Sequence, residues 1–213
     1  MADLLHDTAP DQHGAGPPNP EHESTGVDNR KLGMWLFLSS EFLLFGALIS
    51  NYLLYSNRPG YSIYPAEIYD IPFTSVSSFV LLMSSLTMVL SHNALTRGDI
   101  NGTRTWLFAT AALGSVFLGG QVFEFTEFVV NDGMTLSTDP AASAFYVLTG
   151  FHGTHVAIGV IMLLSLWGIA RRPGGLSEKH GMNLELVGLY WHFVDIIWIV
   201  IFTVVYLLSV PPT

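Results

Sequence analysis

The sequence predicts an all-α membrane protein of five transmembrane helices, with its N-terminus in the cytoplasm and its C-terminus outside. Three observations carry that reading. Hydrophobic residues make up 50% of the 213 positions and charged residues only 12%, where a soluble domain carries about 25% charge; mean hydropathy is +0.44. The apolar residues gather into five long blocks. Seven of the eight Lys and Arg residues fall on one side of the ladder those blocks define. There is no cysteine, which excludes a disulfide framework, a thiolate metal site and a Cys nucleophile. A net charge of −9 with no basic patch argues against nucleic acid as a partner.

Residues 1–29 are rich in Pro, Gly, acidic residues and His, with almost nothing to bury, and are expected to be disordered. They lack the basic start and apolar core of a secretory signal. His6, His13 and His22 are widely spaced and read as parts of a solvated tail. The membrane domain, residues 30–213, follows. Its spans are expected at about 32–55, 72–92, 105–130, 142–170 and 186–210. Each reaches the ~20 residues that a rise of 1.5 Å per residue needs to cross hydrocarbon. Backbone in lipid must satisfy its own hydrogen bonds, and continuous apolar runs without two-residue alternation favour helices over barrel strands.

Orientation follows from charge. Arg30 and Lys31 precede the first span, Arg97 and Arg104 lie between the second and third, and Arg171, Arg172 and Lys179 lie between the fourth and fifth. The opposite side has Arg58 among the acidic Glu67, Asp70, Asp132 and Asp139. The positive-inside rule places the first set in the cytoplasm.

Polar residues recur inside the spans, where an ionisable group costs at least ~2.5–3.5 kcal/mol. Glu41 sits in WLFLSSEFLLF. Ser77, Ser84 and Ser91, shadowed by Ser78, Ser85 and His92, form a small polar stripe on the second span, read as helix packing. Gln121, Glu124 and Glu127 end the third. His152, His155 and Gly159 share a face of the fourth. Glu185, Gly188, His192 and Asp195 follow a 3-4-3 spacing on the fifth. Three chemistries fit. The ExxE, HxxH and HxxD pairs could bind a metal, as carboxylates and imidazoles do in helix bundles, although no Glu-x-x-His pair is present. Buried Glu, His and Asp could relay protons. They could equally serve as interhelical hydrogen bonds. Spacing alone does not separate the last two.

The chain resembles subunit III of the haem–copper terminal oxidases, along essentially all of residues 30–213. The resemblance rests on KLGMWLFLSSE around Glu41, IPFTSVSSFVLLMSS, RGDINGTRTW, GQVFEFTEF, GFHGTHVAIG and YWHFVDIIW, in that order. It implies an all-helical subunit beside subunits I and II. This chain would carry no haem, copper or other cofactor; those centres would lie in partner subunits. The complex would reduce oxygen and pump protons in the bacterial cytoplasmic (inner) membrane. Subunit III would stabilise the core, support proton uptake and hold phospholipid. Under the resemblance Glu41 matches the buried acid of the family's first shared span. Glu124, His152, His155, Trp191, His192 and Asp195 match its other polar positions. Arg171, Arg172 and Trp191 are the candidates for lipid contact, the arginines through phosphate at the cytoplasmic surface.

Longer family members have seven spans; this chain lacks the first two, so a lipid cleft would be built differently here. Alternatives are subunit III of a quinol oxidase, an accessory subunit of nitric oxide reductase and, from a different class, a membrane metalloenzyme using the HxxH and ExxE sets. No internal repeat or pair of broken spans points to a transporter.

Overall fold

The computed structural model describes residues 28–56, 70–172 and 181–208. The described residues form five long helices: α1 (Asn29–Ser56), α2 (Ile71–Thr96), α3 (Ile100–Val130), α4 (Pro140–Ala170) and α5 (Gly181–Ile201). A π-helical segment, Phe202–Leu207, continues α5. All five are long and apolar enough to span a bilayer, so the chain is a multi-pass membrane protein. The expected tail lies outside the described residues except at its end, where Asp28 opens α1. Its carboxylate accepts from the Arg30 N–H at 2.8 Å. His6, His13, His22, Arg58, Glu67 and Lys179 also lie outside the described residues.

The helices begin earlier than the apolar blocks suggested, because their first turns are polar and capped. Asp70, Asp99 and Asp139 accept from the N–H three residues on, at 3.1, 2.9 and 2.7 Å. Pro72 and Pro140 occupy first-turn positions that need no N–H. Between α2 and α3 the chain turns in three residues. Gly98, at φ +73°, ends α2. The Asp99 N–H bonds Ala94 O at 2.9 Å and the Gly98 N–H bonds Leu95 O at 3.0 Å, a Schellman closure that makes Asp99 both the end of one helix and the cap of the next.

α2 packs on α3 and α5, and α4 packs on α1, α3 and α5. α1 touches mainly α4 and α5 and is the peripheral helix, with Trp35, Leu36, Phe42, Leu43 and Leu54 exposed. One end of the bundle is basic. There Lys31 Nζ pairs with Glu185 Oε1 at 2.7 Å, joining α1 to α5. Arg104 Nε donates to Ala170 O at 2.7 Å, closing the end of α4.

The centre is built around Trp191, which is 1% exposed. A Cβ on Gly114 of α3 would fall 2.5 Å from its ring, and one on Gly159 of α4 would fall 2.7 Å from it. The indole therefore fills a slot that only glycine leaves open on both sides, the close approach that small residues permit between membrane helices. Its Nε1–H donates to Ser84 Oγ on α2 at 3.0 Å. A single side chain thus joins α2, α3, α4 and α5.

Substituting Gly159 with Val is expected to destabilise the folded chain by about 1–3 kcal/mol, as overpacking does. Adding Trp191→Leu should recover part of that loss. Unfolding midpoints in detergent test this; purely additive losses would contradict the slot.

Candidate functional site

Polar groups inside the bundle form three hydrogen-bonded sets. The first joins α1 to α4. His155 Nε2 lies 3.1 Å from Glu41 Oε2, and His155 Nδ1 lies 2.7 Å from Phe151 O. A carbonyl only accepts, so Nδ1 carries a proton. The Nε2–Oε2 bond then needs one further proton, held by the imidazole or by the carboxyl. The pair is a one-proton couple, half-buried, with Phe45 packed edge-on to the imidazole at 5.1 Å. The Tyr190 hydroxyl of α5 donates to His155 O at 3.0 Å and fixes that turn of α4.

The second set joins α2 to α5. His192 Nδ1 lies 2.5 Å from Ser85 Oγ. Asp195 follows His192 one turn later on α5. Asp195 is 4% exposed, and its Oδ2 meets no donor among the described residues.

The third set lies toward the other end. Glu124 accepts from Thr74 Oγ1 at 2.7 Å and from the Tyr206 hydroxyl at 3.3 Å. The Thr74 hydroxyl also lies 2.9 Å from Asp70 O, so one proton serves two acceptors. Tyr206 belongs to the π-helical segment, whose extra residue per turn aims it into the bundle.

His152 stands apart. It is fully buried and neither ring nitrogen has a hydrogen-bond partner among the described residues. Its ring stacks on Trp198 at 4.8 Å, with Phe117 edge-on at 6.0 Å and Phe45 at 6.4 Å.

The sequence-derived pairs thus separate. His152 and His155 share HxxH, and Phe45 of α1 packs on both, yet only His155 reaches Glu41. Glu124 is buried, whereas Glu127 is exposed and bonds Asn131. Among the described residues no three His, Asp or Glu side chains gather closely enough to share an ion. Trp191 corrects an expectation: it is enclosed by four helices and presents no surface to lipid. Arg171 and Arg172 are exposed at the basic end, the first with its guanidinium 4.7 Å over the Trp167 ring.

The serine stripe and residues that spacing did not single out complete the sets. Ser84 and Ser85, read from the stripe as helix packing, bond Trp191 and His192 across to α5. Ser78 likewise accepts from Trp198 Nε1 at 2.8 Å. Trp191 and Trp198 are seven residues apart, and Ser84 and Ser78 six apart on an antiparallel neighbour. That matched spacing was the available signal. Thr74, Tyr190 and Tyr206 carried none.

These features define a five-helix membrane protein whose interior holds acids and imidazoles among hydrogen bonds between helices. Residues 16–210 match the family model described as cytochrome c oxidase subunit III. The chain is 38% identical over 191 residues to "Cytochrome c oxidase subunit 3" of Thermostichus vulcanus, covering 89% of this chain and 92% of that one. It is 39% identical over 193 residues to the protein of the same name from Synechocystis, covering 90% and 81%. It is 34% identical over 198 residues to "Quinol oxidase subunit 3" of Bacillus subtilis, covering 93% and 96%. The chain belongs to the cytochrome c oxidase subunit III family of the haem–copper oxidases.

Replacing Glu41 and His155 with Ala, singly and together, should give a double loss smaller than the sum by about 0.6–1.7 kcal/mol, the range found for interhelical hydrogen bonds in membranes. Unfolding free energies of the four proteins decide it; strict additivity would contradict the couple.

Proposed function

We propose that this chain is the non-catalytic third subunit of a bacterial respiratory oxidase, seated beside subunits I and II in the cytoplasmic membrane with its basic end in the cytoplasm. Oxygen reduction and its haem and copper centres belong to the partner subunits. This chain stabilises them and supports their proton supply. The observation that carries the reading is the Glu41–His155 couple: two proton-exchanging groups on different helices, sharing one proton, inside a chain of this family.

A bonded partner lowers the cost of holding either group inside the bundle. The exposed Arg171 and Arg172 at the basic end suit the phosphate of anionic phospholipids, in line with the cytoplasmic placement of that end. A quinol-oxidase complex is the second reading, favoured by the Bacillus subtilis relative that bears that name over nearly its whole length.

Purification in mild detergent should bring haem absorbance down with this chain. Deleting the chain should reduce sustained oxygen consumption while haem content per complex is retained, and Glu41→Gln should do so in part. Unchanged turnover, persistence and proton pumping after deletion would contradict the role.

A further inference from the structure

A cleft of about 200 Å³ opens on the side of the bundle between α2 and α5, with His92, Glu185 and His192 in its walls and Met88 and Gly188 as its buried apolar part. Glu185 is already paired with Lys31. The imidazoles are not fully served. His192 bonds Ser85 through Nδ1, and its Nε2 has no hydrogen-bond partner among the described residues. His92 has none there at either ring nitrogen. α5 and its π-helical continuation span 27 residues. That is about 40 Å at 1.5 Å per residue, against a hydrocarbon core of about 30 Å. Glu185, one turn in, therefore lies near the boundary on the basic side, and His192 about 10 Å beneath it.

The same face of α5 runs on as Leu189, His192, Ile196 and Ile199, spaced 3-4-3. Ile196 is 59% exposed, and Val89 on the facing wall of the cleft is 51% exposed, so the described helices leave this stripe unused. An apolar 3-4-3 stripe with one polar position is a seam for packing a further helix, the polar position fixing its register. Lipid serves the seam poorly. An acyl chain can cover Ile196 and Ile199 but offers His192 no hydrogen bond, and a phospholipid headgroup stays at the interface, about 10 Å short of it. A protein side chain reaches that depth. The cleft has room for one, since a cavity of about 150 Å³ admits benzene.

We propose that this cleft and seam seat a membrane-spanning helix of a partner subunit, whose amide, hydroxyl or carboxyl side chain enters between α2 and α5 and bonds His192 Nε2. Such groups complement an imidazole nitrogen whether it donates or accepts. The polar contact sets the register of the docked helix, and the flanking apolar positions supply its packing. Gly188 keeps the site open: a Cβ there would already meet Met88 Cε at 3.2 Å. The proposal rests on the reading of the chain as one subunit of a membrane complex and names the face and the chemistry of one contact.

The test is photo-crosslinking from a benzophenone amino acid placed at Ile196 in the purified complex, which leaves the cleft and His192 intact. The expected adduct is a membrane-spanning peptide of another subunit, with an Asn, Gln, Ser, Thr, Asp or Glu within two turns of the crosslinked residue. Adducts with lipid, detergent or this same chain alone would overturn the seam, as would a peptide without such a residue. His192→Phe should lower the crosslink yield at least threefold. Val89→Trp, which fills the cleft and keeps the His192–Ser85 bond, should do the same and covers the case in which the histidine variant does not fold. A yield equal to the parent's in Val89→Trp would overturn the insertion. Haem absorbance separates the two readings. Lipid-only adducts in a haem-containing complex contradict the seam alone, whereas a helix adduct from a complex without haem supports the seam and contradicts the oxidase reading.

Discussion

The row of hydrogen bonds between α2 and α5 is the constraint on which the remaining structure depends. Four consecutive polar positions of α5, Trp191, His192, Asp195 and Trp198, would be costly in lipid without partners. α2 meets Trp191, His192 and Trp198 with Ser84, Ser85 and Ser78. Hydrophobic driving force between helices is absent in a bilayer, so such bonds and close packing must hold them together. Here the two coincide: the indole that donates to Ser84 is also the one enclosed by Gly114 and Gly159.

With α5 fixed in this register, the other polar sets follow. Tyr190 reaches the backbone of His155, and His155 in turn meets Glu41 on the peripheral helix. The π-helical continuation of α5 delivers Tyr206 to Glu124. The α3–α4 joint is closed separately, by Gln121 donating to Thr149 O at 2.8 Å across Gly153, where a Cβ would fall 2.6 Å from the Gln121 oxygen.

Much of the fold was legible because lipid imposes a length and a polarity that composition records directly. Five helices long and apolar enough to span a bilayer are present, as the apolar blocks imply, and Glu124, His152 and Asp195 are buried. Spacing failed where the outcome depended on a partner helix. His152 and His155 share a motif, yet rotation of about 300° over three residues leaves only His155 bonded to Glu41. Glu124 and Glu127 diverge for the same reason. Trp191, a candidate for lipid contact under the resemblance, is enclosed by the bundle, and a sequence does not show which side of a helix its neighbours cover. Helix starts were misplaced by a few residues because capped polar turns carry no hydropathy signal.

The central claim is that the α2 serines hold α5 in place. Replacing Ser78, Ser84 and Ser85 together with Ala, and comparing with Ser39, Ser50 and Ser165 replaced together, tests it most directly. The control serines are exposed and bond only their own helices. The account predicts a loss of several kcal/mol for the first set, at about 1–3 kcal/mol per stranded donor, and little change for the second. Equal stability of the two triple variants would contradict it.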